Sequence, residues 1–321
     1  MKNSIKTILF LAIAFIIYSP FANAQTIPNS LNQPGYYHLS LGDFEVIALS
    51  DGTIPQKLNE LLTDAKPGEI ERLLKQHYQA TTIECSVNAY LVKANGKLIL
   101  IDVGTSDVYG QALGHITESL NKAGYKPEQI DVILLTHIHM DHIGGLMNGD
   151  KIAFPNATVY ISKIEADYYL NPANKAKAVE SAKRFFDGAE QKLRPILNAG
   201  KLRTFDFGGE LFPGITPVAS FGHTPGHSFY AIESKGEKML FMGDVLVSDA
   251  VQLPDPSVTS VYDYDAGEAA ITRKKALEEA ASAGYWVGVS HISFPGIGHI
   301  RGGGKGYVWV PVNYSASGIG Q

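Results

Sequence analysis

Thr136-His137-Ile138-His139-Met140-Asp141-His142 gathers three imidazoles and a carboxylate at the end of one apolar run. The run, Asp131 to Thr136 (DVILLT), is short and nearly all hydrocarbon, which predicts a buried strand. A loop leaving the end of such a strand is where polar side chains from separate segments can converge. His137 and His139 are two apart, so in an extended segment they point the same way. Asp141 and His142 follow where Gly144-Gly145 permit the chain to turn. Two pairs of donors thus face different directions, which suits two neighbouring metal ions better than one. A chance polar loop is a poor alternative, because unpaired polar groups beside a buried strand cost free energy.

Three further pieces carry similar donors. Gly222-His223-Thr224-Pro225-Gly226-His227 lies between the expected strands Ile215 to Ser220 and His227 to Glu233. Gly243-Asp244 ends the expected strand Lys238 to Met242, and His291 ends Tyr285 to Ser290, read as the final core strand. Imidazoles and carboxylates at successive strand ends make a nitrogen and oxygen donor set for zinc, manganese, iron or cobalt. The single cysteine, Cys85, excludes cysteine-based metal clusters and any intramolecular disulfide. Elsewhere, Phe44 to Ser50 and Ala157 to Ser162 read as strands. Val87 to Lys93 and Leu98 to Val103 read as a hairpin around Asn95-Gly96. Residues 110–122, most of 163–198 with a break near Pro172, and Ala266 to Ala283 before Gly284 read as helical. Strands with interspersed helices predict sheets covered by helices, in one domain without repeats, and leave the topology open.

His-x-His-x-Asp-His, then Gly-His-Thr-Pro-Gly-His, then Gly-Asp and a late His together resemble the metallo-β-lactamase superfamily. Asp102-Val103-Gly104-Thr105 is similar to that family's first motif, whose aspartate is structural. The stretches Ser290 to His299 and Tyr307 to Tyr314, with Phe154 to Ala157 and Asp255 to Thr259, resemble methyl parathion hydrolase and its relatives. The likeness runs from about Pro34 to Tyr314. It implies an α/β fold, the four-layer αββα sandwich of this superfamily. It implies a hydrolase with two divalent transition-metal ions, zinc foremost and manganese, iron or cobalt as alternatives. His137, His139 and His223 would hold the first ion, Asp141, His142 and His291 the second, and Asp244 would bridge them. A hydroxide shared by the metals would attack an ester, lactone or organophosphate triester, with Asp141 and Asp244 as the catalytic carboxylates. The resemblance places Tyr109, Tyr169 and Phe185 or Phe186 in an aromatic substrate pocket. His227 would hydrogen-bond behind the site, and His299 has no assigned role. The rival readings are a β-lactamase and a non-catalytic metal-binding protein of the same fold.

Lys2 and Lys6, the apolar stretch Ile8 to Tyr18 and Ala22-Asn23-Ala24 match a secretory signal cleaved before Gln25. That predicts a signal at 1–24, a hydrolase domain at 25–321 and a periplasmic or secreted protein with no membrane attachment after cleavage. An uncleaved anchor is the alternative, but the apolar run falls short of the ~20 residues that a span needs. The 321 residues include 45% hydrophobic and 18% charged ones, which excludes a disordered chain. A formal net charge of -5 offers no surplus cation for nucleic acid, leaving a small-molecule substrate and room for a homodimer. Ser119 to Lys122 fits S-x-x-K without its partner motifs, and Gly302 to Lys305 reads as a surface loop rather than a phosphate loop.

Overall fold

Alternating side chains along the strands separate the core into layers. The computed structural model describes residues 33–106 and 108–316, so the expected signal segment lies outside the described residues. Strands β1 (Tyr36–Leu41), β2 (Phe44–Lys57), β3 (Thr82–Ala94), β4 (Lys97–Ile101), β5 (Val132–Leu134), β6 (Thr158–Ser162) and β7 (Leu202–Phe205) form a seven-stranded sheet in chain order. Pairing is antiparallel from β1 to β4 and parallel from β4 to β7. A six-stranded sheet, also in chain order, holds β8 (Ile215–Ala219), β9 (Ser228–Ser234), β10 (Glu237–Phe241), β11 (Trp286–Gly288), β12 (Ile297–Gly302) and β13 (Tyr307–Pro311). The helices that matter below are α1 (Ile116–Lys122), α2 (Met140–Ile143), α3 (Lys163–Tyr169), α4 (Glu180–Lys192) and α5 (Ala266–Ala283).

Ile47, Leu49, Ala89, Leu91, Leu100 and Ile133 share one face of the first sheet and pack with Ile116 and Leu120 of α1, Ala166 of α3 and Ala189 of α4. Their neighbours Val46, Ala48, Tyr90, Val92, Ile99, Val132 and Leu134 point the other way and meet Tyr230, Ile232, Met239 and Phe241 of the second sheet. The outer face of that sheet, through Phe229, Leu240 and Val287, is covered by Ala276, Leu277 and Ala280 of α5. Helix, sheet, sheet, helix gives the four-layer αββα sandwich. Strand β5 is buried on both faces, which is why it reads as uninterrupted hydrocarbon. Among the described residues no helix is long and apolar enough to cross a membrane.

Local chemistry accounts for most boundaries. Asp265 caps α5 by accepting the Glu268 N–H at 2.9 Å, and Gly284 closes it with φ 68°. The turn at Asn95 and Gly96 has φ of 50° and 75°, as a tight hairpin between β3 and β4 requires. Four expectations change. β2 runs past Ser50 to Lys57 through a bulge between Ser50 and Gly52, because the buried Asp51 carboxylate accepts from Thr105 N, Thr105 Oγ1 and Ile116 N. Residues 110–122 are a short 3-10 turn at Gly110–Ala112 followed by α1. Segment 163–198 is four separate helices. Tyr285 to Ser290 does not end the sheet, since β12 and β13 follow it. Glycines obscure these two strands in sequence; at Gly298 a Cβ would lie 2.5 Å from Val310 O and 2.7 Å from the Trp309 ring.

Candidate metal centre

The donor-bearing loops leave the ends of β5, β10 and β11 and the β8–β9 connection, and they meet at one edge of the sandwich. Asp244 sits between the histidines. Its Oδ1 lies 3.0 Å from His142 Nε2, and its Oδ2 lies 3.0 Å from His291 Nε2, 3.4 Å from His223 Nε2 and 3.8 Å from His137 Nε2. His139 Nδ1 lies 3.0 Å from His223 Nε2. Asp141 Oδ2 is 3.4 Å from His291 Nε2 and 3.6 Å from His142 Nε2. Two groups result, His137, His139, His223 and Asp244, and Asp141, His142, Asp244 and His291, each with donor atoms within 4.8 Å of one another.

Outer partners aim these rings. His142 Nδ1 donates to Asp102 Oδ2 at 2.8 Å, and Asp102 also accepts the Thr136 N–H and hydroxyl, each at 2.8 Å. Asp102 holds φ 58°, an uncommon conformation for a non-glycine residue that these three bonds maintain. His223 Nδ1 donates to Asp263 at 2.8 Å and His291 Nδ1 to Ser86 O at 2.9 Å. In each case the other ring nitrogen is left facing the centre, the usual device for orienting a metal-binding imidazole. His227 Nδ1 bonds the Ser220 hydroxyl at 2.6 Å, and its Nε2 accepts the Asp244 N–H at 3.2 Å, behind the centre. Burial pushes His227 down to about 3, so it is neutral and can accept that proton.

Burial opposes charge on every imidazole here. It prevails at His137 and His139, which fall well below the usual histidine range. It is outweighed by Asp244, Asp141 and Asp102 at His142 and by Asp244 at His291, both raised well above it. His223 is lifted to about 9 by Asp244 and Asp263 against the same penalty. His137 Nε2, His142 Nε2 and Asp244 Oδ1 are buried and make no hydrogen bond. Buried nitrogen and oxygen atoms that face inward without hydrogen-bond partners fit two divalent transition-metal ions sharing Asp244.

Above the centre lies a cavity of about 320 Å³ whose walls are mostly apolar, with Ile54, Leu61, Val87, Leu113 and Val247 among them. Tyr109 and Phe185 line it, and Phe185 stacks on His139 with ring centroids 4.4 Å apart. Burial and the nearby Asp141 push the Tyr109 hydroxyl up, so it stays protonated. The structure places Tyr169 and Phe186 elsewhere, contrary to expectation. Both are buried in the helix-side core, their rings 5.0 Å apart, and neither reaches the cavity. Phe185 and Phe186 are neighbours on α4, about 100° apart around the helix axis, so only one can face the cavity. Tyr262 and Arg184 also line the cavity, with the guanidinium 4.8 Å from the Phe185 centroid and 5.4 Å from that of Tyr262. No sequence pattern marked these two, or Asp263. His299 lies against Trp286 in the second sheet, at 3.9 Å between ring centroids.

Residues 82–291 match the family model of the metallo-beta-lactamase superfamily. The chain belongs to this superfamily. Among solved structures, it is similar to the hydrolase AbOPH of the beta lactamase superfamily, at 35% identity and a TM-score of 0.84, covering 88% of this chain and 99% of that one. It is also similar to AidC, a dizinc quorum-quenching lactonase in complex with its product N-hexanoyl-L-homoserine, at 31% identity and a TM-score of 0.79, covering 88% and 98%. Among curated superfamily relatives, an N-acyl homoserine lactonase of a Bacillus species is 28% identical over 172 residues, 48% of this chain and 60% of its own length. Ribonuclease TTHA0252 of Thermus thermophilus is 28% identical over 182 residues, 56% of this chain and 40% of its own. The chain thus spans about half the length of these curated relatives.

Proposed function

We propose that this superfamily member is a two-metal hydrolase of aryl esters and lactones, with organophosphate triesters as a side activity. The observation that carries the reading is a pair of ligand groups sharing Asp244 on the floor of an apolar cavity. Two bound divalent ions, zinc foremost, would supply Lewis acidity toward a carbonyl or phosphoryl oxygen and a nucleophile at neutral pH. His137, His139, His223 and Asp244 would hold one ion, and Asp141, His142, His291 and Asp244 the other. The chain supplies the rest. Asp102, Asp263 and the Ser86 carbonyl keep three imidazoles aimed inward. Asp141, with 25% of its side chain exposed, links the buried cluster to solvent and can pass a proton outward. Phe185 lines the cavity with aromatic hydrocarbon beside the centre, where an aromatic or lactone ring can pack, and the protonated Tyr109 can donate a hydrogen bond to a substrate oxygen. The hydrocarbon walls exclude water and suit a neutral, acylated substrate.

Similarity to AidC and to the Bacillus lactonase supports the lactone assignment, and the stretches Ser290 to His299 and Tyr307 to Tyr314, which resemble methyl parathion hydrolase, favour the phosphotriester one. The apolar walls and the net charge of -5 oppose a polyanionic nucleic acid substrate. The test is kcat/KM on zinc-loaded protein for phenyl acetate, dihydrocoumarin, N-hexanoyl homoserine lactone, methyl parathion, a cephalosporin and a short RNA. The lactones and the aryl ester are expected to lead. Phe185→Ala is expected to raise KM for dihydrocoumarin by about tenfold, the equivalent of ~1.4 kcal/mol. A cephalosporin or RNA as best substrate would overturn the reading.

We further propose export, with cleavage of residues 1–24 and action in the periplasm or outside the cell. Mass spectrometry of the exported chain should then find Gln25 at the N-terminus, and an intact Met1 in a membrane fraction would refute it.

A further inference from the structure

The two loops that form the first ligand group are joined by a carboxylate that neither of them contains. Glu165, in the first turn of α3, is wholly buried. Its Oε1 accepts the backbone N–H of Ile138, between His137 and His139, at 3.1 Å. Its Oε2 accepts the backbone N–H of Gly226, three residues after His223, at 2.8 Å. Ser162, the cap of α3, completes the junction: its hydroxyl donates to Gly226 O at 2.7 Å and accepts the Glu165 N–H at 3.1 Å. The contact is close, since a Cβ on Gly226 would fall 2.3 Å from Glu165 N. Both acceptor atoms on Glu165 are therefore used, one on each loop, and a helix start holds the assembly rigid.

We propose that Glu165 is a positioning residue for the metal centre, a clamp that fixes the spacing between His137 and His139 on one loop and His223 on the other. This inference rests on the two-metal reading above, though not on the substrate. The side chain touches no ligand atom, so it acts through the backbone. A buried carboxylate is a costly way to tie two loops unless both oxygens have fixed donors, which they do. Burial does push its carboxyl up, to about 7, against the pull of the Gly226 and Ile138 backbone donors. Outer groups that orient metal ligands typically change metal affinity by about 10–100-fold when replaced. Loss of the clamp should weaken the first group selectively, because the second draws its ligands from Asp141, His142, Asp244 and His291 and is aimed by Asp102 and Ser86.

The test compares the native chain with Glu165→Gln, which must point an amide N–H at one of the two backbone donors. Glu165→Asp, which keeps the charge but is too short to span both, is the second variant. Both stepwise zinc affinities are measured by chelator competition, together with the melting temperature of the zinc-free chain. Leu193→Ala, a cavity in the same helix-side core, controls for general loosening. The expected result is a 10–100-fold loss in one of the two zinc affinities, less than threefold in the other, and a larger loss than in Leu193→Ala at equal melting temperature. Equal weakening of both affinities, a loss no greater than that of Leu193→Ala, or native affinities in both Glu165 variants would overturn the proposal. If Glu165→Gln does not fold, the Glu165→Asp affinities decide by the same criteria. Native chain that binds two zinc ions but cleaves no lactone or ester refutes the substrate reading and leaves the clamp standing.

Discussion

Asp244→Ala is expected to leave fewer than one metal ion per chain and to lower kcat/KM at least about 100-fold, ~2.7 kcal/mol of transition-state stabilisation. Asp244 is the one residue present in both ligand groups. Burial opposes its ionisation, yet His142, His291 and His137 outweigh that and hold the carboxyl well below the usual range. Its anionic oxygens therefore stand 3.0 Å from two imidazole nitrogens, ready to be shared by two cations. An alanine removes a donor from each group and the negative charge that separates the cations. His227→Ala is the informative comparison, because it deletes the acceptor behind the Asp244 N–H and the bond to Ser220 but no candidate ligand. It should retain more metal and more activity. Elemental analysis and steady-state kinetics on both variants check this; two ions and a native rate in Asp244→Ala would exclude the bridge.

Removing the metals is expected to lower the melting temperature by about 10 °C or more. At free metal 1,000 times the Kd, each ion stabilises the folded chain by about 4 kcal/mol. One kcal/mol moves the midpoint by about 2–4 °C in domains of 150–250 residues, and by somewhat less in larger ones. Without metal, the buried His137 Nε2, His142 Nε2 and Asp244 Oδ1 have no hydrogen bond to replace the lost coordination. The sign with pH follows. Ligating imidazoles must be deprotonated, and in the metal-free fold carboxylates hold His223 at about 9 and His142 and His291 well above the usual histidine range, so the metal contribution is largest at alkaline pH and declines as pH falls through about 9. Differential scanning calorimetry before and after chelation, with metal content verified and zinc then restored, checks both points. A midpoint that stays within about 2 °C after verified metal loss would overturn the prediction.

The donor residues that the structure brings together were legible in the sequence because their information is local, while their division between two ions was what the family resemblance implied. His137 to His142 lie within one loop whose preceding strand announces itself as buried hydrocarbon, and Asp244 and His291 each end a recognisable run. The Asn95-Gly96 hairpin and the Ala266 to Ala283 span of α5 before Gly284 were legible for the same reason: turn and cap chemistry acts over a few residues. β12 and β13 were not, since their glycines are there to admit a neighbouring strand that the local pattern does not contain.

Tertiary structure decided what depends on partners distant along the chain. Phe185 faces the cavity while Phe186 and Tyr169 fill the core, a choice made by how α4 and α3 dock against the first sheet. Asp263 reaches His223 from 40 positions away, and Glu165 ties Ile138 to Gly226 across 27 and 61 positions. Local periodicity carries no record of such pairings. A side chain's neighbours in a packed core are set by how whole elements dock, and a buried polar group is satisfied by whatever donor that docking brings within about 3 Å. The sequence by itself determined the donor chemistry and the strands that present it. The docking of helices on the sheets decided how those donors are held and which aromatic ring faces the cavity.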